Sequence, residues 1–524
     1  RRDGGHIKGV GVWPFATSHA LRQTWLPAAA GDTEGMRVDF VGHATLLIRH
    51  GGLTLLTDPW WTGPAYRDQW YPYPIPVPER YDLSQVDAVY VSHSHEDHLH
   101  APTLRAVLDA APHALAIIPL RYDTQMRDYV KRIGFRRIKE AASGTPFVLR
   151  RGKSAARLTV LTHMDDSLLG VEAGREVLLD VNDALHSSRR ELILEYCRVL
   201  RRRFPRIDYL FCGFGGASYF PNCVHVPGKD DVAVARARER YFLQNFALIA
   251  ERLRPRHAFP FAAHFVLPAE RIWWISATRL QLEAPKKTLR RLAPQVPVAF
   301  HDLRPGDFVE DGEVYASAAP PAVEPEAVRT EVLAHYPPPR PRPSIDQGGF
   351  EQLVQEVRAR AEQRGQSAAL DAALVLTDFE PQFIHVHVTP HVTRVRAVDR
   401  RLLDEVNPQV VFETRSDLVR STLRSPFGKD LISIGYGAEV RVRSRADLNG
   451  APHDRLLQLL APTQARWRQH LRERPLRAAR FVPGDPSMRY AAANRLFHLS
   501  SNAHEVRPGP APYDISDWVT VPET

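Results

Sequence analysis

The heptapeptide SHSHEDH at residues 92–98 holds four metal-ligating side chains, those of His93, His95, Asp97 and His98. It follows the apolar run VDAVYV, which predicts a buried strand that ends in a polar loop. In an extended chain alternate residues point the same way, so His93 and His95 can converge on one cation. Asp97 and His98 can then turn toward a second cation. The spacing predicts the nucleus of a one- or two-metal active site.

Three consecutive strands are predicted between residues 36 and 58, upstream of the motif. Their sequences, MRVDFVG, ATLLIRH and LTLLTDP, are rich in β-branched and apolar residues, and Gly51 and Gly52 supply a turn. Downstream, the strand-like runs LTVLTH, EVLLDVND and IDYLFCGF alternate with helical patterns, the longest at residues 189–203 and 232–253. A β-meander followed by alternating strands and helices predicts an α/β fold, an αββα sandwich.

Four segments are predicted along the 524 residues, because a chain of this length exceeds what one hydrophobic core normally organises. Prolines accumulate just after residue 318 and favour an extended, semi-rigid spacer. Helical and strand-like patterns resume beyond it. We therefore predict a catalytic domain at residues 1–318, a proline-rich linker at 319–345, a smaller α/β domain at 346–480 and an irregular tail at 481–524.

The formal net charge of +9 comes mostly from arginines scattered along the chain. A nucleic-acid interface would need a larger basic patch with interleaved aromatic residues, so we expect a small anionic substrate and no nucleic-acid partner. No run approaches the roughly 20 apolar residues of a transmembrane helix. Residues 1–20 lack the apolar core of a signal peptide, and the three cysteines form no CxxC pair. A cytoplasmic enzyme is the simplest expectation.

Several stretches resemble the metallo-β-lactamase superfamily. VGHATLLIRHGGLTLLTDPWW and VDAVYVSHSHEDHLHAPTL are similar to the subgroup that includes N-acylphosphatidylethanolamine-hydrolysing phospholipase D and ascorbate-phosphate lactonases. FCGFGGASYFP, ERYFLQNFALIAERLRPRHAFPFAAHF and ETRSDLVRSTLRSPFGKDLISIGYG look like the catalytic portion of CMP-N-acetylneuraminic acid hydroxylase. The resemblance implies a metallo-β-lactamase sandwich in the catalytic domain. It also implies a third histidine, a bridging aspartate and a final histidine at the ends of later strands.

His163, at the end of LTVLTH, fits the third histidine that the resemblance implies, with Asp165 and Asp166 as nearby competitors. Asp183, at the end of EVLLDVND, fits the bridging aspartate, and Asp180 is its rival on the same strand. The two oxygens of a bridging carboxylate hold two cations roughly 3.5–4 Å apart, as a binuclear site requires.

The final histidine is the least defined ligand. Aligned by the preceding strand, the histidine of the phospholipase-like subgroup falls on Phe261. His264 lies three residues later, where the hydroxylase-like pattern has a tyrosine, and it is our candidate for this position. If His264 does not reach the metal, the second cation is weakly held and the site is mononuclear.

Other side chains carry secondary predictions. His225, in CVHVP, falls near a histidine that lies close to the reacting group in the phospholipase-like subgroup, which implies substrate contact or proton transfer as an alternative to a structural role. Asp58 is expected to hydrogen-bond a ligand histidine. His385, His387 and His391 alternate along a predicted strand. Without a carboxylate or cysteine nearby, we favour a half-exposed strand face over a metal site there.

A metal-dependent hydrolase is the first of two reactions that fit these ligands. One or two divalent cations, zinc by default and iron or manganese as alternatives, lower the pKa of bound water from about 15.7 to about 7. Hydroxide then attacks a phosphoester, lactone or amide-type small molecule while the cations neutralise the developing negative charge. Asp97 acts as a ligand that also orients the hydroxide.

A non-haem iron oxygenase is the alternative, since histidine and carboxylate ligands with open positions also suit iron. The hydroxylase family carries a Rieske cluster, which needs a CxH and a CxxH pair. Cys223-Val224-His225 is the only CxH here and no CxxH occurs, so an oxygenase needs an external electron donor or takes the electrons from its substrate. This favours hydrolysis. A scaffold without catalysis is disfavoured, because unused polar ligands clustered at a strand end are costly to bury.

Overall fold

The computed structural model describes residues 35–121, 124–163, 166–188, 190–318, 323–337, 341–364, 369–425, 427–448 and 450–462. Asp165 and the tail predicted at residues 481–524 lie outside these ranges. In chain order the strands are β1 Met36–Gly42, β2 Thr45–His50, β3 Leu53–Thr57, β4 Tyr71–Pro72, β5 Ala88–Tyr90, β6 Leu115–Pro119, β7 Arg137–Ala141, β8 Phe147–Arg151, β9 Ser154–His163, β10 Asp166–Ala173, β11 Glu176–Asn182, β12 Tyr209–Gly213, β13 Val224–His225, β14 His257–Phe261, β15 Phe265–Val266, β16 Ala299–Phe300, β17 Phe308–Glu310, β18 Glu313–Tyr315, β19 Leu370–Leu376, β20 Gln382–Val388, β21 Thr393–Asp399, β22 Val410–Thr414 and β23 Ala438–Val442.

Local sequence sets the ends of the longest helix. This helix, α4 (Asp231–Leu253), begins after Asp230, whose carboxylate accepts a hydrogen bond from the Ala233 N–H. It stops at Arg254, which has left-handed backbone angles.

The helices are α1 Ala101–Ala110, α2 Gln125–Ile133, α3 Arg190–Arg203, α4 Asp231–Leu253, α5 Glu270–Leu280, α6 Pro285–Leu292, α7 Pro325–His335, α8 Gln347–Arg364, α9 Leu403–Val406, α10 Ser416–Arg424, α11 Asp430–Ser433, α12 Arg445–Leu448 and α13 Pro452–Leu460.

Two large sheets face each other across a shared apolar core. The first has the strand order β18-β17-β1-β2-β3-β5-β6-β7, and the second has the order β16-β14-β12-β11-β10-β9-β8. Helices α1 and α2 cover the outer face of the first sheet, and α3, α4 and α6 cover that of the second. The predicted αββα sandwich is confirmed. Side chains between the sheets include Phe40, Leu46, Leu55, Tyr90, Ile117, Leu158, Val160, Leu169, Phe211 and Phe259.

The strand before the metal motif is shorter than the sequence predicts. The parallel ladder of β5 ends at Tyr90. Two residues later, the backbone N–H of Ser92 donates to the Asp58 carboxylate at 2.7 Å rather than to a neighbouring strand. The carboxylate of Asp58 thus accepts the hydrogen bond that a strand carbonyl would otherwise accept, and residues 93–98 form a loop at the edge of the sheet.

A third sheet has the strand order β13-β23-β22-β19-β20-β21. Its edge strand β13 comes from the segment between β12 and α4 and pairs in parallel with β23. Helices α8, α10 and α13 cover one face, where Leu353, Leu418 and Leu456 share a core with Ala372 and Val386. An α/β arrangement therefore follows residue 345, with one strand contributed from upstream.

The proline-rich segment contains a helix rather than a continuous extended spacer. Helix α7 begins at Pro325, whose missing N–H needs no partner in the first turn. Val328 and Val332 of this helix pack in one cluster with Tyr71 and Trp273. The division of the chain into four segments stays a prediction. Among the described helices, none has the length and apolar character needed to cross a membrane.

Candidate metal centre

The first group of ligands joins the motif to strand β10. His93 Nε2 lies 2.7 Å from His95 Nδ1 and 3.6 Å from Asp166 Oδ1. The three ligand atoms of these residues lie within 4.8 Å of one another, close enough to share one cation. His93 and His95 thus converge as their alternation predicts, and the carboxylate of Asp166 completes the group.

A second group lies beside the first. His43, in the turn between β1 and β2, places Nε2 3.0 Å from Asp97 Oδ2. His98 Nε2 lies 3.2 Å from the same oxygen. The three residues form a buried group whose ligand atoms lie within 4.8 Å of one another. Asp97 and His98 therefore meet at a second position, as the sequence predicts, with His43 as their partner.

Asp183 lies between the two groups. Its Oδ2 is 3.4 Å from His98 Nε2, and it forms a further group of ligand atoms with His93 and His98. Asp183 therefore occupies the place that a bridging carboxylate needs. Its rival Asp180 is fully buried and belongs to no such group among the described residues. Burial, followed by the charge of Asp58, raises the pKa of Asp180 well above its usual value.

Asp58 supports the motif through contacts with Ser92 and His98. Its carboxylate contacts His98 Nδ1 at 3.0 Å and accepts a 2.6 Å hydrogen bond from the Ser92 hydroxyl. The Asn182 side-chain amide also donates to it. The expected hydrogen bond between Asp58 and a motif histidine is confirmed. Because Nδ1 of His98 is engaged in this way, Nε2 is the nitrogen presented to Asp97 and to a cation.

Tyr66 supports the centre from a neighbouring turn. Its hydroxyl donates a 2.6 Å hydrogen bond to Asp97 Oδ1, and its backbone N–H donates to Glu96 Oε2 at 2.7 Å. Tyr66, Arg67 and Asp68 have left-handed backbone angles, with φ of 52°, 56° and 63°. Such angles are uncommon for residues that carry a Cβ, and three in succession make a strained turn. The surrounding contacts hold this turn against Asp97.

The segment around α11 packs against the Tyr66 turn. Gln69 Nε2 donates to the carbonyl oxygens of Tyr66 and Leu431, at 2.7 and 2.9 Å. Gly435 approaches so closely that a Cβ there would lie 2.8 Å from Tyr66 Cβ and 2.6 Å from Leu431 O. Residues close to the third sheet thus hold the turn that hydrogen-bonds Asp97.

Asp97 and His98 each favour the charged form of the other. Burial opposes ionisation of Asp97, but the imidazoles of His98 and His43 outweigh it and hold the pKa of the carboxyl well below its usual value. Burial also opposes protonation of His98, but the neighbouring carboxylates, Asp97 first, raise its pKa well above the usual value. The buried carboxylates therefore require positive charge at this point of the structure.

The donor atoms suit a transition-metal cation. Asp183 Oδ1 is buried and makes no hydrogen bond with any described residue. A buried polar atom without a partner costs about 1–3 kcal/mol, a penalty that coordination to a cation removes. Imidazole nitrogens and carboxylate oxygens are ligands of zinc, iron and manganese alike. The residues therefore fit one or two divalent cations.

His163 pairs in register with Asp166 across β9 and β10. It is buried at the end of β9, where Nε2 contacts Ser188 Oγ at 2.8 Å and the ring lies 4.9 Å from that of Tyr196. Within the described ranges it belongs to no group of three ligand atoms. Asp166, one of the competitors identified from the sequence, lies beside His93 in its place.

His264 lies near the centre without joining a ligand group of the described residues. Its ring packs against Phe40 and Phe214, with centroids 5.0 and 5.4 Å away. Burial, then the positive charges of His43 and Arg279, lower its pKa to about 3. The structure therefore places His43, rather than His264, next to Asp97.

His225 lies on strand β13 of the third sheet. Its Nδ1 contacts Asp231 Oδ2 at 3.1 Å, and its Nε2 contacts Glu439 Oε2 at 2.6 Å. Hydrogen bonds to these two carboxylates raise its pKa to about 9. Both ring nitrogens are engaged in ion pairs, and the structure does not bring His225 into the ligand groups described above.

His43 and Tyr66 are absent from the ligand set predicted from the sequence. His43 lies in a Gly-His-Ala turn between two buried strands, and a polar residue at that point is the one sequence signal that indicates it. Tyr66 has no comparable signal. Its contact depends on left-handed backbone angles at residues other than glycine, which local sequence rarely indicates.

Residues 37–184 match the family model of the beta-lactamase superfamily domain. This range runs from the first strand to Asp183 and includes all residues of the ligand groups described above. The chain carries a metallo-β-lactamase fold. Together with the histidine and aspartate groups, the match makes the protein a metal-dependent enzyme with this fold.

Curated relatives of the chain include a protein named as an iron-sulfur protein and one named as a hydroxylase. The chain is 29% identical over 214 residues to a Mycobacterium tuberculosis protein named as a Rieske 2Fe-2S iron-sulfur protein, an overlap of 39% of each chain. It is 28% identical over 255 residues to cytidine monophosphate-N-acetylneuraminic acid hydroxylase of Danio rerio, 46% of this chain and 40% of the relative. The chain thus spans about two fifths of the length of these relatives.

Solved structures with a similar fold include hydroxylases and hydrolases. CmlA, a diiron β-hydroxylase from Streptomyces venezuelae, is 17% identical, with a TM-score of 0.37 over 53% of this chain and 54% of CmlA. A metallo hydrolase from Ignicoccus hospitalis is 12% identical, with a TM-score of 0.34 over 52% of this chain and 97% of the hydrolase.

Proposed function

We propose that this metallo-β-lactamase-fold enzyme is an iron-dependent hydroxylase of a small anionic molecule. The observation that carries the proposal is the position of Asp166, whose carboxylate lies 3.6 Å from His93 Nε2 and groups with His93 and His95, whereas His163 joins no such group among the described residues. Two histidines and one carboxylate, with open positions opposite, are typical of non-haem iron(II) oxygenases. The ligand set therefore supports the reaction that the sequence alone placed second.

The ligand set is richer in oxygen donors than the sequence predicts. It comprises four histidines and three aspartates, namely His43, His93, His95, His98, Asp97, Asp166 and Asp183. Oxygen ligands shift the preference of a site from zinc toward iron and manganese. The similarity to cytidine monophosphate-N-acetylneuraminic acid hydroxylase over 255 residues supports the same reaction class.

Buried aromatic rings pack around the group formed by His43, Asp97 and His98. The Trp60 ring lies 4.9 Å and the Phe265 ring 6.1 Å from the ring of His43, while Tyr66 fixes Asp97 by its hydrogen bond. When bound, iron supplies the one-electron chemistry that dioxygen activation requires. Exclusion of bulk water by these rings strengthens the electrostatic interactions among the charged ligands.

Electrons for this reaction are proposed to come from a donor other than the described residues. Cys197, Cys212 and Cys223 are buried, and in the described ranges none of them belongs to a group of three or more metal ligands. The described residues therefore offer no set of ligands for an iron–sulfur cluster. We assign the donor to the Rieske class, because a similar Mycobacterium tuberculosis protein is named as a Rieske 2Fe-2S iron-sulfur protein.

A cavity beside the Tyr66 turn supports an anionic substrate. Its volume is about 460 Å³, and it lies among the turn, the segment after residue 341 and the start of α10. Three arginines line it, and they outnumber the two carboxylates there: Arg67, Arg342 and Arg420 against Asp68 and Asp417. Arg67 pairs with Asp417 and Arg342 pairs with Asp68, each at 2.7 Å, which leaves the lining one net positive charge. Guanidinium groups bind carboxylates and phosphates, so this surplus suits the charged part of a small anion.

A metallohydrolase is the second candidate. The position of Asp183 between the two ligand groups favours it, because two-cation sites that hydrolyse phosphoesters share a bridging carboxylate. On this alternative the cations are zinc or manganese, and the substrate is a phosphoester, lactone or amide-type small molecule.

Metal analysis combined with oxygen uptake separates the two reactions. Protein purified without added metal is expected to hold iron and to consume oxygen when a chemical reductant and a panel of small anions are added. Asp166→Ala is expected to lose both iron and oxygen uptake. Zinc near two equivalents, with hydrolysis of a phosphodiester or lactone panel and no oxygen uptake, would reject the hydroxylase and support the hydrolase.

A further inference from the structure

A separate group of metal-ligand side chains lies on the third sheet. His385 and His387 are two residues apart on β20, and Asp371 of β19 is paired in register with His387. His385 Nε2 lies 2.7 Å and His387 Nδ1 lies 3.2 Å from the same oxygen, Asp371 Oδ1. The three ligand atoms lie within 4.8 Å of one another.

Strand geometry produces this convergence. Alternate residues of a strand share a face, so His385 and His387 point the same way. Residues directly opposite in an antiparallel pair have Cβ atoms roughly 4.5–5.5 Å apart, which brings Asp371 within reach of both. The carboxylate that was not evident from the sequence therefore comes from the neighbouring strand. His391 is exposed beyond the end of β20 and joins no such group among the described residues.

We propose that Asp371, His385 and His387 form a binding site for a divalent transition-metal cation, with zinc as its occupant. Zinc takes imidazole nitrogens and carboxylate oxygens at about 2.0–2.2 Å, in a tetrahedron whose neighbouring ligands are about 3.3 Å apart. The two observed contacts, 2.7 and 3.2 Å, open to that separation by small side-chain rotations. His387 is 42% exposed, which leaves the fourth position accessible to water.

The sheet holds two of the three ligands in place. The side chain of His385 is 10% exposed and that of Asp371 is 26% exposed, so neither loses much freedom on binding a cation. His385 Nδ1 makes no hydrogen bond with any described residue. Coordination through Nε2 therefore breaks no hydrogen bond of this ring apart from its contact with Asp371, which the cation replaces.

Nearby arginines limit the affinity of the site. Arg394 pairs in register with His387, and Arg396 pairs with His385, across strands β20 and β21. Both arginines are exposed, so solvent and salt screen their charges. The repulsion that remains lowers the affinity of the site for a cation.

Zinc stoichiometry tests the proposal independently of the enzyme's reaction, because this group shares no residue with the ligand groups around His93. The full chain, with its main centre already loaded, is dialysed against zinc chloride, and bound zinc is measured by atomic emission. Wild type is expected to hold one equivalent more than Asp371→Asn and His387→Ala. His391→Ala removes an exposed histidine from the same region and is expected to keep that equivalent.

Thermal unfolding supplies a second readout. Zinc that binds the folded chain raises its unfolding temperature, and this rise is expected in wild type and His391→Ala but not in the two ligand variants. Asp371→Asn preserves the side-chain size, so it decides the question if His387→Ala fails to fold. Equal zinc content and equal thermal shifts in wild type and Asp371→Asn overturn the proposal, as does loss of the equivalent in His391→Ala.

Discussion

The Tyr66 hydroxyl donates a 2.6 Å hydrogen bond to Asp97 Oδ1, which ties a strained turn to the metal centre. Asp97 is 2% exposed, and its other oxygen lies 3.0 Å from His43 Nε2 and 3.2 Å from His98 Nε2. Tyr66 thus fixes one carboxylate oxygen while the other faces the histidines. Hydrogen bonds of this kind orient ligand carboxylates and strengthen metal binding.

Tyr66→Phe is expected to weaken metal affinity roughly 10–100-fold, because the ring stays packed while the hydrogen bond to Asp97 is lost. Competition with a chromogenic chelator measures the change. Tyr315→Phe alters a tyrosine that is 51% exposed on β18 and is expected to leave affinity unchanged. Equal affinities for wild type and Tyr66→Phe would show that the turn does not support the centre.

Gly435→Ala is expected to weaken metal binding through Tyr66. A Cβ at residue 435 would lie 2.8 Å from Tyr66 Cβ, so the turn must shift and its hydroxyl moves off Asp97. A double-mutant cycle isolates this route: in a Tyr66→Phe background, Gly435→Ala is expected to change affinity little further. Additive losses would indicate that residue 435 acts by another path. Gly52→Ala, at an open position, is the matched control.

Asp166→Ala and His163→Asn are expected to differ in metal content. Asp166 lies beside His93, so its removal lowers affinity by more than the roughly 10–100-fold typical of residues that only orient ligands. His163→Asn keeps a polar group next to Ser188 and is expected to retain the metal. Metal analysis of the two purified variants, each checked for folding, makes the comparison. The opposite pattern would return His163 to the ligand set.

The ion pairs of His225 are expected to make stability depend on pH. Hydrogen bonds to Asp231 and Glu439, which also pair with Lys229 and Arg271, raise its pKa to about 9, from about 6.5 in an unfolded chain. Because the folded-state pKa is raised, this stabilisation is complete below about pH 6.5 and is lost as the pH rises through about 9.

His225→Gln tests this pH dependence. The stability advantage of wild type over the variant is expected to be modest, because the His225 side chain is 36% exposed and solvent screens its pairs. It is expected to be largest at about pH 6 and to vanish by about pH 10. Unfolding in denaturant across this range measures it. An advantage that grows with pH would contradict the assigned ion pairs.

Local patterns predicted the sandwich and the geometry of the motif, because strand alternation and helix periodicity are properties of neighbouring residues. His93 and His95 converge for that reason. The sequence did not indicate that Asp166, rather than His163, lies beside the motif. Both residues lie at the junction of β9 and β10, and strand packing decides which one faces the motif. The sequence did not indicate the contact of Asp371 with His385 and His387 for a similar reason, because these histidines lie on another strand.

Strand β13 pairs with β23, and the side-chain contact between His225 and Glu439 on these strands spans a sequence separation of 214 residues. At synthesis rates of about 5–20 residues per second, residue 225 leaves the ribosome roughly 10–40 seconds before its partner exists. During that delay Cys223 and Val224, fully buried in the finished protein, are open to chaperones and proteases. A nascent chain that stops before residue 438 keeps this strand edge permanently unpaired and prone to aggregation.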